Sequence, residues 1–195
     1  MLKKEQIWRE ILQAAFGAGV FNFTQKDLAS RLGVSLSTVN HALSLPRSVG
    51  AVKVAGRGFG VTDKEKFLLL WASHRRMRRD IVYAAFAAGS AMAREGMMPP
   101  QVIYGAYSGY RKKYGTAPAD YDVVYVYAEA AGLAEVKKRF PPQVGAPNLF
   151  VLRADDRLAT FGDVTPPVQL FADLWNLPEW YAADFLRELK AKFKI

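Results

Sequence analysis

The chain has 195 residues, 51% of them hydrophobic, no cysteine and a formal net charge of +9. This composition supports a packed core in one large domain or two modest ones and excludes wholesale disorder. It also excludes disulfides, thiolate zinc sites and cysteine nucleophiles, fits a cytoplasmic location, and contains no apolar run near the ~20 residues of a membrane span. The charge is unevenly shared: residues 1–80 carry 14 Lys and Arg against 6 Asp and Glu, a net of +8, whereas residues 81–195 carry 13 against 12, a net of +1. A basic segment beside a balanced one points to a polyanion partner for the first alone.

Lys3 to Ala18 reads as a helix, with Ile7, Ile11, Ala14 and Ala15 on one face and Trp8 beside them. Its charges are interleaved with its apolar residues, which is not the pattern of a signal peptide. Val20 to Phe23 suits a short strand. From Thr24 to Leu45 the spacing predicts two helices joined by a tight turn. Thr24 stands at an N-cap with Asp27 three residues on, Leu28, Ala29 and Leu32 form an apolar stripe, and Gly33 ends the helix in left-handed backbone. Ser35 caps the second helix, whose buried stripe is Val39, Ala42 and Leu43. Ser35, Ser37, Thr38, Asn40, His41 and Ser44 remain outside that stripe. Short polar side chains of this kind can hydrogen-bond base edges or phosphates without blocking entry to a major groove.

Pro46 is expected to stop the second helix. Val49 to Val54 and Phe59 to Val61 then read as two strands around Ala55-Gly56-Arg57-Gly58. Arg57 would stand at the tip of this hairpin with Lys53 and Arg47 nearby, facing phosphates or a minor groove. The glycines flanking Arg57 have no packing task visible in the sequence. Thr62 or Asp63 caps a further helix over residues 64–79, with Phe67, Leu68 and Trp71 inward. Arg75, Arg76, Arg78 and Arg79 make it a basic linker: a solvated face, a second phosphate contact, or pairing for the acids of the next domain, with the first two favoured equally. The charge balance changes near Asp80, which divides the chain into domains 1–80 and 81–195.

The second half alternates strands and helices: strand 81–86, helix 89–96, strand 102–104, helix 107–114 ended by Gly115, strand 121–127, helix 130–140, strand 149–152, and two helices within 165–195, the last over 180–193. This is a mixed sheet wrapped by helices, so the chain as a whole is expected to be α+β. Asp120 and Asp122 alternate into the strand at 121–127 and would point to one side, the spacing of a carboxylate pair able to hold magnesium. Asp155 and Asp156, which follow the next strand, are candidates for a third carboxylate. Tyr104, Tyr107, Tyr110, Tyr114, Tyr121, Tyr125 and Tyr127 crowd into 24 residues. They suit packing between elements with wet hydroxyls, or else a surface for stacking or docking. His41 and His74 are too separated for a metal site, and neither metal nor cofactor is expected.

Ala29, Gly33 and Val39 resemble the helix-turn-helix pattern of bacterial and archaeal regulators. With the hairpin that follows, the first domain resembles a winged helix. The strand at Tyr104-Gly105, the helix after it and Asp120-Tyr121-Asp122 resemble the nucleotidyltransferase superfamily, although Gly105 is followed by Ala106 where that family carries glycine or serine. Over most of its length the chain resembles AbiEi-type antitoxins and related archaeal regulators, through residues 103–115, 120–128 and 164–180, where Val164, Pro167, Val168, Gln169 and Asp173-Leu174 match the family's motif. The resemblance implies a sequence-specific DNA-binding transcriptional regulator, an autorepressor of the antitoxin kind. Its second domain would be nucleotidyltransferase-like and non-catalytic. The implied partners are double-stranded DNA, a toxin protein and a second copy of the chain. Two alternatives stand beside this reading. One is a magnesium-dependent nucleotidyltransferase using Asp120 and Asp122, and the other is a protein-interaction module that binds a toxin.

Overall fold

A computed structural model describes residues 1–56 and 58–195. Arg57, expected at the hairpin tip, lies outside the described residues. The chain is mixed α and β and divides into two compact units, Met1–Arg75 and Arg76–Lys194.

The first unit runs α1 (Lys3–Gly17), β1 (Asn22–Phe23), α2 (Gln25–Leu32), α3 (Leu36–Ser48), β2 (Val52–Ala55), β3 (Gly58–Val61) and α4 (Lys64–His74). Its strands pair antiparallel in the order β1-β3-β2. Ile7, Trp8 and Ile11 of α1, Leu28 of α2, Val39 and Leu43 of α3, and Phe67, Leu68 and Trp71 of α4 are all buried. Full burial of a side chain of this size contributes about 1.5–3 kcal/mol. Local chemistry fixes the ends. Thr24 Oγ1 accepts from the Asp27 N–H at 3.0 Å, Gly33 takes φ 62° at the end of α2, and Ser35 Oγ accepts from the Thr38 N–H at 3.1 Å.

Three expectations for this unit need correction. Pro46 does not stop α3; the helix continues to Ser48 with the proline inside it. A proline at position 46 has no N–H for the carbonyl of Ala42. Here the Trp8 indole N–H donates to that carbonyl at 2.7 Å, in a buried contact, so the acceptor is satisfied from another helix. Trp8→Phe should therefore cost about 1–3 kcal/mol from the unpaired carbonyl alone. Pro46→Ala in the same background restores a main-chain donor and should recover part of that loss. Urea unfolding of the two single variants and the double variant measures the coupling, and strictly additive losses would refute the pairing.

The second correction concerns the basic linker. The helix ends at His74, and Arg75 is extended and buried, 3.7 Å from Glu5, itself buried on α1. Arg75 is an internal ion-pair partner, while Arg76, Arg78 and Arg79 are exposed. Third, Gly58 does have a packing task. A Cβ there would lie 2.5 Å from the carbonyl oxygen of Phe23 on β1, so β1 closes on the hairpin only past a glycine.

The second unit follows as β4 (Ile81–Ala85), α5 (Ala91–Gly96), β5 (Ile103–Tyr104), α6 (Ala106–Tyr114), β6 (Val124–Ala128), α7 (Ala130–Arg139), β7 (Leu149–Arg153), α8 (Pro167–Leu174) and α9 (Ala182–Phe193). Its sheet has the order β4-β7-β6-β5. The central β6–β7 pair is parallel, with α7 as the crossover, and both flanking pairs are antiparallel. All five residues of β6 are buried, as a strand covered on both faces requires. Val124, Val126 and Ala128 join Leu149, Val151, Val136 and Phe140 in one cluster. Tyr125 and Tyr127 alternate to the other face. Tyr127 donates to Asp173 of α8 at 2.6 Å, and the Tyr125 ring lies 6.1 Å from that of Tyr107 on α6.

The strand expected from residue 121 starts at Val124 instead, so Asp120, Tyr121 and Asp122 precede it. Buried Arg94 holds that segment in place. It donates to the carbonyls of Ala87 (2.9 Å) and Gly89 (2.6 Å), to the Asp122 carbonyl, and to the Asp122 carboxylate at 2.6 Å. A peptide group turned toward a guanidinium is withdrawn from a strand ladder.

Candidate nucleic-acid interface

The α2–α3 pair is held by its inward stripe, Leu28, Ala29 and Leu32 with Val39, Ala42 and Leu43. That burial decides which face of α3 remains outside. Ser37, Asn40, His41 and Ser44 are exposed and recur at three- and four-residue spacing, so they form one outward strip along the helix. Ser35 and Thr38 lie at the same end but are engaged with each other. Their hydroxyls are 2.8 Å apart, in addition to the main-chain cap that Ser35 provides. Their role in the structure is to start α3, and the strip that reaches outward is the remaining four.

Asn40 is the most constrained member. Arg47, one residue beyond Pro46, folds back along the helix. Its Nη2 donates to Asn40 Oδ1 at 2.8 Å and to the Asn40 carbonyl at 3.1 Å, and its Nε donates to the Leu43 carbonyl at 3.3 Å. A guanidinium only donates, so the amide oxygen faces Arg47 and the Nδ2 donors are left over. Arg47, expected to meet phosphates, is thus half-buried and fixes the orientation of Asn40. The bidentate pairing of asparagine with adenine needs both amide atoms, whereas an Asn40 held this way offers donors to base acceptors.

Lys53, opposite Gly60 in the β2–β3 ladder, is exposed, as is Lys26 in the first turn of α2. Leu36, the first residue of α3, is 54% exposed. The sequence places it in phase with Val39 and Leu43 and so masks it. An exposed leucine beside a polar strip suits contact with a thymine methyl group.

In the second unit, Asp120 and Asp122 are exposed residues of the segment before β6, and the Asp122 carboxylate is engaged by Arg94. Asp155 is buried and caps the Arg157 N–H at 3.2 Å, with Asp156 exposed beside it. Among the described residues, no three or more His, Asp or Glu side chains gather where they could hold a metal ion. Gly105 sits against an aromatic ring, since a Cβ there would lie 2.9 Å from Tyr127 Cε2. Five of the seven crowded tyrosines (Tyr104, Tyr107, Tyr110, Tyr125 and Tyr127) are buried. Four of these five hydroxyls meet protein acceptors. Tyr107 and Tyr125 donate to Glu179, Tyr127 to Asp173, and Tyr104 to the Glu95 carbonyl. Half-buried Tyr121 donates to the Glu95 carboxylate, which also binds Arg111. Burial, reinforced by Glu179, raises the pKa of Tyr107 and Tyr125 far above the ordinary tyrosine value, and burial pushes Tyr110 up to about 12. These groups are neutral donors at any physiological pH.

Comparison with protein-family models, with curated proteins and with solved structures gives no match. The site is therefore read from its own chemistry.

Proposed function

We propose that this protein is a sequence-specific regulator of transcription that binds double-stranded DNA through a winged helix, with α3 in the major groove and the β2–β3 hairpin as the wing. The observation that carries the proposal is the outward strip of Ser37, Asn40, His41 and Ser44 on a helix whose other face is locked into a core. The excess positive charge of residues 1–80 supports it independently. The autorepressor role, with a toxin or a second copy as partner, rests on the resemblance to antitoxins. The transferase alternative needs Asp120 and Asp122 on one side of a strand. They precede β6 and Asp122 is tied to Arg94, so no observation favours that reading.

The direct test is binding of the whole protein to DNA from its own upstream region in the presence of excess unrelated DNA. Retained binding supports the proposal, and binding abolished by the competitor refutes sequence specificity. Asn40→Ala should then relax the choice at one base position by about 1 kcal/mol while leaving nonspecific affinity unchanged. Selection of bound sequences from a randomised pool reads this out, and an unchanged consensus would remove Asn40 from the interface.

A further inference from the structure

The second unit contains a cavity of about 420 Å³ that neither the packing of the sheet nor the proposed DNA interface uses. Its size falls in the range of small-molecule sites. One wall is aromatic. Tyr125 and Phe150 are partners across the parallel β6–β7 pair, and their rings stack at 5.0 Å with planes 13° apart. Ile81 and Leu177 extend the apolar surface, Asn176 adds a neutral polar group, and the charged part of the lining is one residue of each sign, Glu179 and Arg78.

The carboxylate is positioned by buried groups. Tyr107 donates to Glu179 Oε2 at 2.9 Å and Tyr125 donates to Oε1 at 3.0 Å. Both tyrosines are buried and hold their protons, so each carboxylate oxygen is fixed by one donor and keeps a further lone pair. Arg78 is exposed at the cavity, with its charge close enough to act on the Tyr125 hydroxyl. Among the described residues, neither Glu179 nor Arg78 forms an ion pair, with the other or with a third group.

We propose that this cavity binds a free α-amino acid with an apolar or aromatic side chain, its ammonium group on Glu179, its carboxylate on Arg78 and its side chain against Tyr125 and Phe150. The charge pattern selects this class. A simple cation would gain Glu179 but face Arg78, and a simple anion would gain Arg78 but face Glu179. A nucleotide would bring several negative charges to one guanidinium and one carboxylate. A zwitterion with an apolar body matches both charges and the wall. The inference is independent of DNA binding and stands or falls separately.

The test is isothermal titration calorimetry and thermal denaturation of the full chain with L-phenylalanine, L-leucine, L-methionine and L-tryptophan, each alone. Phenethylamine lacks the carboxylate, 3-phenylpropionate lacks the amine, and guanosine monophosphate serves as the nucleotide control. At least one amino acid should bind and raise the unfolding midpoint, and for phenylalanine the amine and the acid should bind about tenfold more weakly or worse. Glu179→Gln, which keeps an acceptor for the tyrosines, and Arg78→Ala, at an exposed position, should each weaken binding about tenfold. The far-ultraviolet spectrum of both variants should be unchanged. Arg78→Ala gives the decisive comparison if Glu179→Gln alters folding. The proposal is overturned if no amino acid binds in the millimolar range or if binding ignores Arg78→Ala. Equal binding of phenethylamine, or binding of the nucleotide alone, would overturn it as well.

Discussion

Replacing Arg94 with methionine is expected to destabilise the second unit by about 2–3 kcal/mol, because four acceptors, one of them buried, lose a charged donor from a buried side chain at once. The guanidinium side chain is 1% exposed and serves the carbonyls of Ala87, Gly89 and Asp122 as well as the Asp122 carboxylate. Methionine retains an apolar stem but no donor, so the Gly89 and Asp122 carbonyls lose the partner that the fold gives them. The Ala87 carbonyl keeps one, the Asn148 amide at 3.1 Å. Lysine should recover only part of the loss, since one ammonium cannot span carbonyls that a planar fork reaches together. Asp122→Asn is the informative contrast. That side chain is 69% exposed, and an exposed ion pair contributes only about 0–1 kcal/mol. Urea unfolding monitored by tyrosine fluorescence distinguishes the cases. A methionine variant within about 0.5 kcal/mol of the parent would dismiss the clamp, and an asparagine variant as damaged as the methionine one would place its strength in the carboxylate.

This clamp also explains where reading the sequence succeeds and where it fails. Thr24, Gly33, Ser35 and Asp63 are legible because capping is local: a hydroxyl or carboxylate meets an N–H three residues away, and glycine takes a left-handed turn. The alternation of Tyr121, Val123 and Tyr125 is equally local and suggests a strand from residue 121. The ladder begins only at Val124 because Arg94, 28 residues earlier, claims the Asp122 carbonyl. Pro46 fails in the same way. Its local rule ends a helix, and the Trp8 indole, 38 residues earlier in the chain, supplies the donor that the rule counts as missing. The four residues of the α3 strip are legible in the sequence; the exposure of Leu36 is not, because its spacing groups it with the buried residues, and neither is the pairing of Arg47 with Asn40, seven residues back. Glu179 carried no signal at all. Its importance comes from Tyr107 and Tyr125, which are brought to it from a helix and a strand far away in the chain.

Raising the salt concentration from about 50 to 200 mM is expected to weaken DNA binding by roughly 40- to 500-fold, if about three to five phosphates are neutralised, since log affinity falls with log salt at a slope of about −0.9 per phosphate. Among the described residues, the basic side chains in reach of a backbone that follows α3 and the hairpin are few. Lys26 begins α2 and Lys53 lies on β2, both exposed, while Arg47 is committed to Asn40 and Arg75 to Glu5. The predicted slope is therefore moderate for a protein of net charge +9. Lys53→Ala should lower affinity for every sequence alike and reduce the slope by about 0.9, whereas Asn40→Ala should leave the slope unchanged. Fluorescence anisotropy titrations at four salt concentrations measure both quantities. A flat salt dependence for the parent protein would refute the polyanion partner outright. A slope unchanged by Lys53→Ala would move the phosphate contacts away from β2 and leave Lys26 on α2 as the first candidate to account for them.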